Sequence, residues 1–161
     1  MLSATGGSFF TFNFLYAILS IDDFCDKIKI TYMAGPSKKI AIVDDELSFL
    51  NLFSEFLSKS GYDVVKFWNP REALIKIGEE KLDLILLDIA MPEIDGLEVF
   101  EYLKSDLKEK MPKTIFLTNL DETAGGVKLD PDFAKSVGAQ GYIRKTDGLD
   151  VMLEKIKEEL R

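Results

Sequence analysis

Leu82-Asp83-Leu84-Ile85-Leu86-Leu87-Asp88 decides the fold. Residues 82–87 are almost wholly apolar, and an acid follows them. A strand without polar alternation is buried on both faces, so this one belongs at the centre of a parallel sheet. Upstream, Lys39-Ile40-Ala41-Ile42-Val43 reads the same way and runs into Asp44-Asp45. Between the two, Leu47, Leu50, Phe53 and Leu57 mark one face of a helix, with Gly61 as its C-cap. Residues 63–68 supply another strand. Asn69-Pro70-Arg71-Glu72 then offers an N-cap, a proline at the first helical position and an acid at the third. Downstream, residues 97–107 are helical by period and residues 114–118 form a strand. Residues 131–137 make a short helix stopped by Gly138, and residues 141–145 are the fifth strand. Leu149, Leu153, Ile156 and Leu160 line a last amphipathic helix. Five strands alternating with five helices give an α/β domain, a parallel sheet covered on both faces.

The 161 residues fit one domain large enough to bury a core. A net charge of −8 provides no basic footprint, so direct nucleic-acid binding is not expected. One cysteine, Cys25, excludes an internal disulfide, and the absence of histidine removes Ser-His-Asp and most zinc chemistry. Carboxylates, hydroxyls and lysine remain. Residues 1–33 differ in character, with an aromatic-rich run at 9–21 that is shorter than the ~20 apolar residues of a spanning helix. The first cation is Lys27, so the positive lead-in of a secretory signal is missing. Met33-Ala34-Gly35-Pro36-Ser37-Lys38-Lys39 reads as a translation start. Residues 1–37 are therefore expected to be a loosely ordered or non-native extension, with residues 38–161 as the domain. A packed or membrane-touching helix and a cleaved signal are the other readings. A cytoplasmic protein with no membrane contact is expected.

Acids crowd the ends of two strands: Asp44-Asp45 after the first and Asp88 after the third. In an open α/β sheet, ligands bind outside the carboxyl ends of the strands where the winding reverses. If the strand order is 2-1-3-4-5, three carboxylates converge there and repel one another. A hard divalent cation relieves that repulsion, and Mg²⁺ suits a few carboxylates plus waters and a phosphate. The plain alternative for Asp44-Asp45 is a helix N-cap. Thr118 closes the fourth strand with a hydroxyl, and Lys145 closes the fifth with a cation. Alone, each is an ordinary strand or surface residue. Together with the acids they fit a covalent aspartyl phosphate, in which a carboxylate is the nucleophile and polar groups hold the phosphoryl oxygens.

Lys39-Ile40-Ala41-Ile42-Val43-Asp44-Asp45-Glu46, Asp88-Ile89-Ala90-Met91-Pro92-Glu93-Ile94-Asp95-Gly96, Thr118 and Tyr142-Ile143-Arg144-Lys145 keep one order along the chain. This set resembles the receiver domain of two-component response regulators, over residues 38–161. The resemblance implies a flavodoxin-like, doubly wound five-stranded parallel sheet, order 2-1-3-4-5, with helices on both faces. It makes Asp88 the phosphoacceptor and Asp45 a direct Mg²⁺ ligand, with Asp44 acting through water and the backbone carbonyl of Ala90 as a further ligand. Thr118 and Lys145 would hold the phosphoryl group. Thr118 and Tyr142 would form the switch, although Tyr142 also reads as a core aromatic. Gly96 would allow a backbone angle that other residues resist.

The sequence also departs from the family. Thr146 stands where a proline with a cis bond is usual, and Asn119 where a small residue is usual. The stretch between Thr118 and Lys145 is longer than usual and holds Gly125-Gly126 and Asp130-Pro131, which should loosen the start of the fourth helix. Ala90 and Leu120 flank the path of a hydrolytic water and are apolar, so a long-lived phosphorylated form is expected. The expected function is that of a single-domain response regulator, not an enzyme. A sensor histidine kinase or phosphotransfer protein would be its donor, and an unspecified protein its downstream target. An aspartyl-phosphate hydrolase would want a second acid where Ala90 stands. A nucleotide- or flavin-binding module would want a glycine-rich loop where Asp44-Asp45-Glu46 stands. A phosphorylation-independent pseudo-receiver scaffold is the remaining alternative.

Overall fold

The computed structural model describes residues 37–119, 123–124, 127–128 and 131–161. The extension with its apolar run at 9–21, Leu120, the Gly125-Gly126 pair and Asp130 lie outside the described residues. Strands β1 (Lys39–Val43), β2 (Asp63–Phe67), β3 (Leu84–Asp88), β4 (Lys113–Thr118) and β5 (Gly141–Arg144) pair in parallel, in the order β2-β1-β3-β4-β5. Helices α1 (Leu47–Lys59), α2 (Pro70–Lys76), α3 (Gly96–Leu107), α4 (Pro131–Val137) and α5 (Leu149–Leu160) connect and cover them. The expected doubly wound order is the observed one. Central β3 is buried along its whole length, as its unbroken apolar run requires.

Successive strand residues point to opposite faces, and that period sorts the core into two layers. Ile40, Ile42, Leu84, Leu86, Ile115, Leu117 and Ile143 pack under α1 and α5, against Leu50, Phe53, Leu57, Met152 and Ile156. Ala41, Val43, Ile85, Leu87 and Phe116 pack on the other face, against Ala73, Val99, Phe100, Leu103 and Ala134. Two assignments of helix faces need correction. Leu47 is 56% exposed because it sits in the first turn of α1, ahead of the point where the helix meets the sheet. In α5 the buried pair is Met152 and Ile156, while Leu149, Leu153 and Leu160 only edge the core.

The helix ends follow their local chemistry. Gly61 and Gly138 take φ of 95° and 101° just past α1 and α4, a region open to glycine but costly to other residues. The Asn69 side chain accepts from Arg71 N at 2.8 Å, with Pro70 opening α2. Asp95 and Glu98 form a reciprocal capping box at the start of α3, which the sequence reading did not anticipate. Nor did it anticipate the antiparallel hairpin of Thr123–Ala124 and Val127–Lys128 between β4 and α4. Asp83 is not part of β3. Its carboxylate accepts from Lys38 Nζ at 2.7 Å and Lys39 N at 2.8 Å, so the strand begins at Leu84.

Candidate functional site

A parallel sheet delivers every strand's carboxyl end to one edge, and the register decides what meets there. Val43 pairs with Leu87, so the next residues, Asp44 and Asp88, stand side by side. The two-residue period extends the α1/α5 rows by one position, to Asp44 after Ile42, Asp88 after Leu86 and Lys145 after Ile143. Lys145 Nζ lies 2.9 Å from Asp44 Oδ2 and 3.0 Å from Asp88 Oδ2. The contact with Asp44 Oδ2 is an ion pair rather than a directed hydrogen bond. Asp44 Oδ1 accepts from Glu46 N at 2.9 Å, which turns the chain into α1. The N-cap of α1 is Glu46, not Asp44 or Asp45, and the capping alternative for the acid pair fails.

Asp44, Asp88 and the side chain of Lys145 are buried, whereas Asp45 is exposed at the mouth. One carboxylate oxygen from each of Asp44, Asp45 and Asp88 lies within 4.8 Å of the others. Burial pushes the Asp44 carboxyl above its usual range, against the pull of the Lys145 ammonium and the Glu46 amide. Burial works against the Lys145 charge, but Asp44 and Asp88 outweigh it and hold the amine above its ordinary value. Three carboxylates and one ammonium leave two negative charges over. A hard dication with oxygen ligands fits that remainder and that donor set.

The other predicted residues surround this cluster. Thr118 ends β4, is buried, and donates its hydroxyl to the Asn119 carbonyl at 2.9 Å. It falls in step with Phe116 rather than Leu117, so its row belongs to the opposite face from Asp88. Lys145 N donates to Thr118 O at 2.8 Å and ties the two strand ends together. Tyr142 on β5 is half-buried and packs on the core beneath α3 and α4. Ala90 is exposed in the loop after Asp88. No peptide bond among the described residues is cis, so Lys145 and Thr146 are joined in trans.

Gly96 is required for a reason other than the one expected. A Cβ there would stand 2.0 Å from the Asp88 carbonyl oxygen and 2.8 Å from Ile89 Cα. Its φ lies outside the left-handed region, and space rather than angle excludes a side chain. The residue in this loop with a left-handed φ is Glu93, at 69°. Trp68 lies past the end of β2, is 58% exposed, and lines a cavity of about 250 Å³ with Asp45, Asn69, Pro70, Pro92 and Glu93. The reading from sequence also missed Phe49, whose ring centroid lies 5.2 Å from Lys145 Nζ. By helical period Phe49 falls beside the apolar stripe of α1 rather than on it.

Comparison with known proteins identifies the family. The family model described as the response regulator receiver domain matches residues 40–157. The polar-differentiation response regulator DivK of Brucella anthropi is 34% identical over 123 residues, covering 76% of this chain and 96% of DivK. The regulatory protein VanRc of Enterococcus gallinarum is 33% identical over 125 residues, 78% of this chain, which spans only about half (51%) of VanRc. Among solved structures, a CheY-like receiver domain protein of Methanospirillum hungatei superposes with a TM-score of 0.64 at 32% identity. That match covers 78% of this chain and 94% of the other. No described helix is long and apolar enough to cross a membrane.

Proposed function

The chain belongs to the response-regulator receiver family, and on that premise we propose that it is a single-domain regulator that accepts a phosphoryl group on Asp88 and signals by protein–protein contact. The observation that carries this reading is the cluster at the sheet edge, where Lys145 lies between Asp44 and Asp88 and Asp45 stands at the mouth. Coverage of nearly all of DivK supports the single-domain part. The donor is a sensor histidine kinase or a phosphotransfer protein, and the chain works in the cytoplasm.

Asp88 acts as the nucleophile. One of its carboxylate oxygens attacks phosphorus in line, and the new O–P bond forms as the bond to the leaving group breaks. With phosphohistidine that is the P–N bond, whose electron pair leaves on imidazole. With acetyl phosphate it is the P–O bond, and acetate leaves. Asp44, Asp45 and Asp88, with the backbone carbonyl of Ala90, are the residues that would hold Mg²⁺. Bound among them, the ion supplies positive charge and Lewis acidity for the phosphoryl oxygens. Lys145 pairs with a phosphoryl oxygen, and the Thr118 hydroxyl donates to another. The added group carries up to about two negative charges, enough to shift a two-state equilibrium at Thr118 and Tyr142.

The test is intact mass after incubation with acetyl phosphate and Mg²⁺. The protein should gain one phosphoryl group, and Asp88→Asn should gain none while keeping its circular dichroism. Absence of any gain would favour a scaffold that works without phosphate. Equal labelling of the Asn variant would remove Asp88 from its role.

A further inference from the structure

The Lys145 ammonium is buried, its side chain only 6% exposed, and two carboxylate oxygens account for two of its contacts. The third is a ring. Phe49, in the first turn of α1, presents its face to Nζ with the centroid 5.2 Å away. The ring is itself held in place, tilted at 40° against Phe53 with centroids 5.3 Å apart, and Phe53 is fully buried. The placement follows from the fold. Asp44, Asp88 and Lys145 extend the strand rows under α1 and α5, and Phe49 lies on α1 beside that layer. The Asp44 carboxylate that pairs with Lys145 also accepts from Glu46 N, so one acid sets both the ammonium and the start of the helix carrying the ring.

We infer that Phe49 is a positioning residue for Lys145: its ring seats the ammonium beside Asp44 and Asp88 and keeps water from that side of it. The negative face of an aromatic ring attracts a cation most strongly where water is excluded, and it offers no donor or acceptor that competes with the carboxylates. An aliphatic side chain of similar size fills the space without the attraction. Lys145 must reach a phosphoryl oxygen without drifting into solvent, and a seat on a fixed ring limits its wandering. The inference rests on the receiver reading only for its consequence in phosphoryl transfer.

The experiment compares Phe49→Leu, Phe49→Tyr and Phe49→Trp in the full chain. At saturating acetyl phosphate and Mg²⁺, Phe49→Leu should take up the phosphoryl group about fivefold more slowly. Its Mg²⁺ half-saturation should be unchanged, and Phe49→Tyr or Phe49→Trp should recover most of the rate. A parallel measurement does not need phosphorylation. Phe49→Leu should lower the urea midpoint more in the wild-type background than in Lys145→Met, where no cation remains for the ring. Wild-type labelling together with an undiminished rate in Phe49→Leu overturns the positioning role. Equal loss of stability in both backgrounds reduces Phe49 to packing and overturns the inference as well. If the wild-type protein takes no label, the receiver reading has failed, and the stability comparison alone decides whether the ring holds the ammonium.

Discussion

Replacing Gly96 with alanine tests the packing directly behind Asp88. The new methyl carbon would stand 2.0 Å from the Asp88 carbonyl oxygen and 2.8 Å from Ile89 Cα. Ordinary contact between heavy atoms lies near ~3.5 Å, so the backbone has to open by more than ~1 Å. It has little freedom to do so. Asp88 is the last residue of a strand buried throughout, and Gly96 N donates to Ile89 O at 2.9 Å, which closes the loop on itself. Overpacking of this kind costs ~1–3 kcal/mol, and alanine's better helix propensity offsets at most ~1 kcal/mol of it. A net loss of ~1–2 kcal/mol follows, equal to a fall of roughly 4–8 °C in Tm for a domain of this size. The assay is urea unfolding followed by far-ultraviolet circular dichroism. Gly141→Ala serves as the control, because a Cβ there meets no atom within 4 Å, and its change should stay within ~0.5 kcal/mol. If Gly96→Ala were as stable as Gly141→Ala, the loop would have given way freely and the steric argument would be wrong.

Two further outcomes are expected. Asp147 closes the turn after β5, accepting from Lys155 Nζ at 2.9 Å and Arg144 Nε at 3.2 Å. The Lys155 hydrogen bond holds its carboxyl below the usual range against a partial burial penalty, with the Arg144 charge adding to the effect. A depressed carboxyl contributes stability that is full above the unfolded value near ~3.9 and fades as pH falls through the lower folded value. Asp147→Asn should therefore be less stable than wild type at neutral pH, by up to ~1 kcal/mol, with the gap closing below about pH 4. A gap in urea midpoints that is independent of pH would contradict the ion-pair account. Residues 1–32 are proposed to be dispensable, since the family match begins at residue 40. A chain starting at Met33 should unfold in one transition and take up a phosphoryl group at the full-length rate; insolubility or a broadened transition would place the extension in the fold.

The sequence by itself determined the elements and the stock of chemistry. Short apolar runs ending in acids, helices closed by Gly61 and Gly138, and the Asn69-Pro70 start are local signals, set by side-chain periodicity and by the φ that each residue tolerates. The sequence also placed Asp44-Asp45, Asp88, Thr118 and Lys145 at strand ends, which is why the candidate site was legible before any coordinates. Tertiary structure decided what depends on pairing between distant segments. The β1–β3 register sets Asp44 beside Asp88, and the two-residue period carries Lys145 between them while assigning Thr118 to the row of Phe116. The space behind Asp88 that only Gly96 can occupy, the exposure of Leu47, the burial of Met152 ahead of Leu149 and Leu153, and the ring of Phe49 over the ammonium were not readable from spacing. Each of these depends on how separate elements pack, and its geometry exists only once the sheet order, strand twist and helix packing are all in place.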